Sequence, residues 1–334
     1  MPRIKIGSKP TTGPVGWRQA ILEQLRSGKV LPIVSNRLCN DLLLGGHESL
    51  VQDYAALCAA PPTVADLPAA AHYSTVMREV AGAGDLVKRE YLDFVKSKLF
   101  ELVEQSNDGS LTALLEDEES QFDEHDFSTM AANLGRPSFA APNADPLLIL
   151  ASFDLPVYLT TSFHCFLEQA LQFAGRQPRS AVCCWHDRIR PPDDPFAEDW
   201  QPTVQEPLVY HLHGVDSLPE SLVLSEDDYL SFLVSIAGGR HLIPNRLRQP
   251  LNDSSLMLIG YDLSGWNFRT LLYGLIKERS YRPQSVCVLQ LQPSPEEQTY
   301  FNRYLDEVDF KVFWGDFSEY LRQLQAGLRG QISA

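Results

Sequence analysis

Short apolar runs alternate along most of this chain with longer stretches in which apolar residues recur at helical spacing. The first apolar run is Val30–Val34 and the last is Phe310–Trp314. Further runs of strand length lie between them, at 157–160, 181–185, 208–213, 222–224, 256–259 and 286–291. Strands that alternate with helices over short connections predict a doubly wound parallel sheet, which is a Rossmann-like α/β fold.

One long region between the first two strands departs from this alternation. From residue 49 to about residue 105 the apolar residues recur at helical spacing, which predicts helices packed over the sheet. Residues 106–144 are acidic and then rich in Ala, Pro and Asn, which predicts a solvated loop. We therefore expect a single domain over residues 1–334, with a helical insertion plus acidic loop at approximately 46–145 that adds no chemistry.

The stretch Asp154–Leu171 joins an apolar run to a helical pattern with hardly a connection between them. Thr160, Thr161 and Ser162 stand at the tip of the predicted strand, and His164 is one step into the predicted helix. Small polar and titratable residues at the carboxyl end of a strand are typical of a ligand site in an open α/β sheet. An ordinary helix N-cap by Thr161 or Ser162 is the alternative explanation of the hydroxyls.

Polar residues also follow the first strand, where a doubly wound fold usually holds the phosphates of a dinucleotide. These residues are Ser35, Asn36 and Arg37, and the usual glycines are missing. A side chain at such a position keeps the backbone farther from a phosphate, although Arg37 could compensate as a cationic fork. A plain turn is the alternative at this position.

The run LVYHLHG carries two histidines near the end of the predicted strand at 208–213. Side chains alternate between the two faces of a strand, so we expect His211 and His213 to share one face. His213 with Gly214 then marks a second polar strand tip. A hydrogen-bonded core histidine is the alternative interpretation of His213.

A third polar tip, Gly260–Asp262, follows the apolar run at 256–259. A parallel sheet places the carboxyl ends of its strands at one edge. The polar tips are therefore expected to converge there, as they do around a small-molecule crevice.

Charge and cysteine content narrow the classes of function. The chain has 28 Lys and Arg against 43 Asp and Glu, a formal net charge of −15 at pH 7. This balance argues against nucleic acid as a main partner, because phosphate contacts need clustered cations. The six cysteines form no CxxC pair, and no signal peptide or membrane-spanning apolar run is evident. We expect a cytoplasmic protein with free thiols, without a metal and without a membrane partner.

The order of motifs resembles the sirtuin-like domains of prokaryotic anti-phage defence proteins. The motifs are TT-x-aromatic, then LHG, LVLSEDDY and LIGYDL-x-x-WNFR, and the resemblance covers roughly residues 28–315. It implies a Rossmann-type sheet with a smaller helical part. It also implies NAD+ as substrate, because many members cleave the nicotinamide–ribose bond of NAD+ and so deplete the cell of NAD during phage attack.

The resemblance also implies roles for particular residues, with two departures from the family pattern. The family motif TTN-aromatic-D reads TTSFH here, so Ser162 replaces the catalytic Asn and His164 replaces Asp. The glycine-rich first loop is Ser35-Asn36-Arg37 here, whereas the LHG histidine is kept. The resemblance assigns catalysis to His213 and Ser162, and nucleotide contacts to Ser35, Asn36, Arg37, Thr160, Thr161, Gly260, Tyr261, Asp262 and Asn267.

Three functions follow from this resemblance as hypotheses. The first is an NAD+ glycohydrolase (NADase) that acts as an NAD-depleting effector in bacterial antiviral defence. The second is a catalytically degenerate domain that binds NAD+ or ADP-ribose as a sensor or scaffold. A lysine deacylase is disfavoured, because those members usually carry a four-cysteine zinc module that this chain lacks. An effector that harms its own cell has to stay off until triggered, so we expect a homo-oligomer, a separate sensor protein, or both.

Overall fold

A computed structural model of the protein describes residues 14–64, 66–78, 80, 82–106, 109, 111–139, 145–191, 196, 199–238, 243–263, 265–277, 285–289 and 294–330. In this part of the chain, strands pair into one sheet of order β3-β4-β2-β1-β5-β6-β7, and every neighbouring pair is parallel. The strands are β1 Val30–Val34, β2 Val157–Thr160, β3 Arg179–Val182, β4 Leu208–His211, β5 Ser255–Ile259, β6 Ser285–Leu289 and β7 Phe310–Trp314. The predicted parallel α/β fold is confirmed.

The sheet changes direction around its central strand. From β1 the chain builds β2, β3 and β4 on one side, and it then crosses over to add β5, β6 and β7 on the other. Ile33 of β1 therefore lies opposite Leu159 of β2 and Leu258 of β5. In open α/β sheets the ligand crevice lies outside the carboxyl ends of the strands where the order reverses.

Helices cover both faces of the sheet. Val30 and Val34 of β1 pack into one apolar core and Leu31 and Ile33 into another, as strand alternation requires. The helices are α1 Pro14–Arg26, α2 Asn36–Leu43, α3 His47–Leu57, α4 Leu67–Val76, α5 Ala83–Gln105, α6 Thr112–Ser120, α7 Phe127–Asn133, α8 Pro146–Ala151, α9 Phe166–Phe173, α10 Glu226–Gly238, α11 Asn245–Asp253, α12 Trp266–Leu271, α13 Pro295–Asp306 and α14 Phe317–Leu328. A 3-10 turn spans Pro219–Ser221, and a π-helical turn, Leu272–Ile276, extends α12.

Helices α3 to α7 lie between α2 and α8 in the chain, in the region predicted as a helical insertion. A solvated acidic loop was predicted for residues 106–144. The prediction of a loop is wrong where the structure describes these residues, because α6 and α7 form there. Glu118 of α6 is buried, and its carboxylate accepts hydrogen bonds from His125 Nδ1 at 2.9 Å and Asn133 Nδ2 at 2.7 Å. Residues 107, 108, 110 and 140–144 lie outside the described residues.

Other predicted boundaries also change. The strand expected at 181–185 is β3 at Arg179–Val182, and residues 222–224 form no strand. Helix α11 was not predicted from the sequence pattern; it holds only two buried apolar residues, Leu247 and Leu251, and it contains Pro250. Residues 290 and 291, predicted to end the sixth strand, lie outside the described residues.

Candidate functional site at the carboxyl edge of the sheet

A cavity of about 320 Å³ opens at the carboxyl ends of β1, β2, β4 and β5. This is the size of a small-molecule site. One wall comes from the turns that follow these strands, and another comes from the insertion. The lining residues are Ser35, Asn36, Arg37, His47, Asp66, Leu67, Pro68, Tyr91, Thr161, Phe163, His213, Leu222, Val223, Leu224, Tyr229, Gly260, Asp262, Gly265, Trp266 and Asn267.

Most residues expected at the site line this cavity. They are Ser35, Asn36, Arg37, Thr161, His213, Gly260, Asp262 and Asn267. Thr160, Ser162 and Tyr261 are not among the lining residues, although all three are buried close behind. Thr160 Oγ1 accepts a hydrogen bond from the Ser162 N–H at 2.9 Å, and the Tyr261 hydroxyl bonds to Thr161 Oγ1 at 3.2 Å. These three residues therefore lie behind the lining residues and support the wall of the cavity.

The first loop is compact without a glycine. Helix α2 begins directly after β1, and its N-cap Ser35 accepts a hydrogen bond from the Arg37 N–H at 3.2 Å. Gly260, at the tip of β5, has φ +79°, and a Cβ there would lie 3.2 Å from the Cβ of Leu38. The close approach at this crevice thus comes from the glycine of the facing turn.

The segment after β2 does not cap a helix. Helix α9 begins at Phe166 with Cys165 at the N-cap position and no side-chain cap, so neither Thr161 nor Ser162 acts as the N-cap. His164 precedes the helix instead of lying one step into it. Its ring stacks on Phe166 at 4.0 Å between centroids, away from the cavity lining. Burial lowers the pKa of His164 to about 3.

His211 and His213 do not share a face, because β4 ends at His211 and a turn follows. His211 is buried against α9, where Nδ1 donates to the Ser162 carbonyl at 3.0 Å and Nε2 donates to Glu168 Oε1 at 2.7 Å. Burial alone would lower the pKa of His211, but the Glu168 carboxylate raises it overall. His211 and Glu168 therefore form a buried ion pair that fixes the backbone at Ser162.

Cys165 lies beside this ion pair. Ligand atoms of Cys165, Glu168 and His211 all lie within 4.8 Å of one another, a spacing that a metal ion could use. The ion pair already uses the His211 nitrogen and a Glu168 oxygen that such an ion would need. Burial also raises the pKa of the Cys165 thiol, which disfavours the thiolate form that binds metals.

His213 sits in the turn after β4 and lines the cavity. Its ring meets Phe232 edge-on at 4.8 Å and Tyr229 edge-on at 5.3 Å between centroids. Among the described residues neither ring nitrogen has a hydrogen-bond partner. Burial lowers the pKa of His213 to about 3, against an opposing effect of the Asn267 amide. The imidazole is therefore neutral at pH 7.

The turn that carries His213 is held from two sides. Gly214 has φ +90°, and a Cβ there would lie 2.4 Å from the backbone carbonyl of Ser221, so only glycine fits. Asp216 accepts hydrogen bonds from the Ser128 N–H at 2.7 Å and from the Ser128 hydroxyl at 2.5 Å. Burial raises the pKa of Asp216 to about 7. Helix α7 of the insertion thus clamps the loop that presents His213.

The insertion, which was predicted to add no chemistry, contributes to the cavity wall. Asp66 and Tyr91 line the cavity from the insertion, and sequence reasoning missed both. Tyr91 lies on the apolar face of α5, so its spacing is that of a core residue. Tyr229 of α10 and Trp266 of α12 also line the cavity. The Tyr229 hydroxyl donates to Asn267 Oδ1 at 2.6 Å.

The fold and this cavity define an α/β protein with a small-molecule site at the switch point of a parallel sheet. Residues 156–312 match the model of the SIR2-like domain family, which supports a sirtuin-like family and suggests an NAD-related function. The match runs from just before β2 into β7 and does not include β1, α2 or the insertion. No curated protein matches the chain. In the described part of the chain, no helix is long and apolar enough to cross a membrane.

Proposed function

We propose that the chain is an NAD+ glycohydrolase of the sirtuin-like type, which cleaves the nicotinamide–ribose bond and depletes NAD in bacterial antiviral defence. The main support is the set of unpaired polar groups at one cavity. Among the described residues, Asn36 Oδ1, the Tyr91 hydroxyl and both ring nitrogens of His213 are buried without a hydrogen-bond partner. A buried group left unpaired costs about 1–3 kcal/mol. Donors and acceptors that converge in this way favour a ligand rich in hydroxyls, such as a ribose.

The ends of the cavity suggest how a dinucleotide would lie. Residues 35–37 lie at the N-terminus of α2, where the helix dipole favours phosphate, and Arg37 adds positive charge. In this proposal Gly260 and Asp262 lie on the adenosine side, with Tyr261 behind them. Thr161 and His213 then face the ribose that carries nicotinamide.

The chemistry proposed for His213 follows from its neutral ring. With a pKa lowered to about 3, the imidazole is a weak base and is better suited to accept a hydrogen bond than to hold a proton. It would polarise a ribose hydroxyl while the electron pair of the C–N bond leaves with nicotinamide. Water then adds to the oxocarbenium-like ribose carbon and loses a proton to solvent, which gives ADP-ribose.

Ser162 is proposed to place that water. Its hydroxyl is buried without a partner among the described residues, and it adjoins Thr161 at the cavity wall. A serine hydroxyl can both donate to and accept from water. It is nevertheless shorter than the asparagine of the family motif, and it lies behind the lining residues.

The test is nicotinamide release by the purified chain, with and without a candidate activator. We expect His213→Ala to lower the rate by about 10²-fold or more, since general acid–base and polarising groups contribute on that scale. Ser162→Ala should lose most of the rate. The melting temperature of each variant shows whether the fold is intact.

A degenerate site that binds NAD+ or ADP-ribose as a sensor or scaffold is the second candidate. The replacement at Ser162, together with its position behind the lining, favours it. Under this proposal the wild type, His213→Ala and Ser162→Ala all stay at background, whereas Ser162→Asn gains activity by rebuilding the family motif. That result would exclude the glycohydrolase. Either function is proposed to work in a homo-oligomer or with a separate sensor protein, hence the activator in the assay.

A further inference from the structure

We propose that Tyr91 of the insertion is a ligand-binding residue that donates a hydrogen bond to the ribose beside His213. The inference rests on the proposed function and deepens it. It assigns part of the substrate recognition to a segment outside the match to the SIR2-like family.

Tyr91 is fixed in place and its hydroxyl is unused. The side chain lines the cavity and is only 2% exposed, and its hydroxyl has no partner among the described residues. The ring meets Tyr54 edge-on at 5.1 Å and Phe163 edge-on at 5.8 Å between centroids. The phenol is thus held on two sides in the cavity wall, and its buried oxygen has no partner among the described residues.

The neighbours of Tyr91 place it on the His213 side of the cavity. Tyr91 and Tyr229 line the same cavity, and Lys88, one turn before Tyr91, pairs with Asp228, the neighbour of Tyr229 in the chain. Tyr229 in turn contacts the ring of His213 and donates its own proton to Asn267. The Tyr229 proton is therefore already used, whereas the Tyr91 hydroxyl has no partner among the described residues. Burial also raises the pKa of Tyr91, so its hydroxyl keeps the proton that it would donate.

A buried ion pair sets the position of Tyr91 relative to the sheet. Lys88, just before Tyr91 on α5, lies 2.9 Å from Asp228 of α10, and both side chains are largely buried. Asp228 also accepts hydrogen bonds from the N–H groups of Leu224 and Ser225. Leu224 itself lines the cavity. The insertion is thus tied to the cavity wall close to Tyr91, so its hydroxyl is preorganised for a ligand.

The test compares Tyr91→Phe with Tyr54→Phe. Both changes remove one hydroxyl from a tyrosine that is 2% exposed, but Tyr54 does not line the cavity. Affinity is measured by calorimetry for ADP-ribose and for ADP, which lacks the terminal ribose. We expect Tyr91→Phe to weaken ADP-ribose about 3- to 10-fold, in line with one neutral hydrogen bond, and to leave ADP unchanged. Tyr54→Phe should change neither affinity.

A second measurement on the wild type does not depend on how the variant folds. Analogues of ADP-ribose that lack the 2-hydroxyl or the 3-hydroxyl of the terminal ribose are compared with the parent. One of them should lose the same factor as Tyr91→Phe, and it should lose nothing more when tested on that variant.

The outcomes separate this inference from the proposed function. If the wild type fails to bind ADP-ribose, both the proposed function and this inference fail. If the wild type binds but Tyr91→Phe binds equally well, the inference is overturned and the function stands. Equal losses for ADP and ADP-ribose, or full affinity of both deoxy analogues for the wild type, also overturn it.

Discussion

Two histidines of this protein share an unusual state and differ in what surrounds them. His164 and His213 are each buried, and among the described residues neither has a hydrogen-bond partner on any ring nitrogen. His164 is enclosed by aromatic rings, the nearest being Phe166. His213 faces a cavity that could hold a ligand. Only His213 has an evident chemical use, and His164 behaves as a core residue with a titratable ring.

The buried state of His164 predicts an acid-sensitive contribution to stability. The unfolded chain takes up a proton on this histidine below a pH of about 6.5, whereas the folded protein does so only near its lowered pKa of about 3. Between these values the unfolded state binds more protons, so stability falls as pH falls. The substitution His164→Phe removes this pH-dependent contribution to stability and keeps an aromatic ring against Phe166. Between pH 8 and pH 5 the wild type should lose about 2 kcal/mol more than the variant.

Urea unfolding of both proteins at pH 5, 6, 7 and 8 measures this difference. Asp216 is present in both proteins, so its contribution cancels in the comparison, and His211, whose charge helps to lower the pKa of His164, is also kept in both. A gap between wild type and variant that stays constant across this range would contradict the assignment.

At the scale of elements, the turn after β4 is the most constrained connection at the site. It breaks the strand after His211, turns His213 toward α10 and passes within van der Waals contact of the backbone at Ser221. Its geometry depends on Gly214, which has both a positive φ and no room for a side chain.

Gly214→Ala should therefore cost more than the strain of a left-handed residue. Gly175, after α9, is a matched control because it has φ +81° with no atom within 4 Å of an added Cβ. We expect Gly175→Ala to destabilise by about 1 kcal/mol, the strain alone. Gly214→Ala should destabilise by more than about 3 kcal/mol and abolish nicotinamide release, since the backbone at Ser221 must move. Denaturant unfolding of the two variants decides this, and equal losses would contradict it.

Elements were predictable where a local pattern specified them. The buried strands β1, β2 and β5 read as short apolar runs, and the polar residues at their ends could be placed at one edge of the sheet by the rules of parallel sheets. Helices α6 and α7 could not be found in the same way, because the acidic residues of α6 and of the segment before α7 suggest solvation, while contacts such as those of Glu118 are made at long range. The prediction that His211 and His213 share one face was wrong for a related reason, because side chains alternate between the two faces only as far as the strand extends.

The cavity residues likewise fall into those that the sequence could predict and those that it could not. Residues at strand tips, such as Asn36 and Gly260, were found from their position in the chain. Tyr91 was not, because a tyrosine on the buried face of a helix has the same local signal whether it faces core or cavity. Only the packing of the insertion over the sheet decides which of the two it faces.

At the scale of the whole molecule, sheet and insertion meet around one cavity, so a ligand there should stabilise both. ADP-ribose at 100 times its dissociation constant should raise the free energy of unfolding by about 2.7 kcal/mol. Hydrogen exchange should slow in α5 as well as in the turn that carries His213, because both line the cavity. Thermal unfolding and exchange with and without ADP-ribose measure this. Protection confined to the sheet edge would contradict a shared site.

The central position of β1 has a consequence for folding during synthesis on the ribosome. Val34 is paired with Thr160 of β2 on one side and Ile259 of β5 on the other, so the first strand to be made has to wait for both neighbours. The cavity also needs Asn267. At about 5–20 residues per second, translation from Ser35 to Asn267 takes roughly 10–50 s. During that time a nascent chain holds Ser35 but has no pocket, so the cavity can form only after Asn267 has been made.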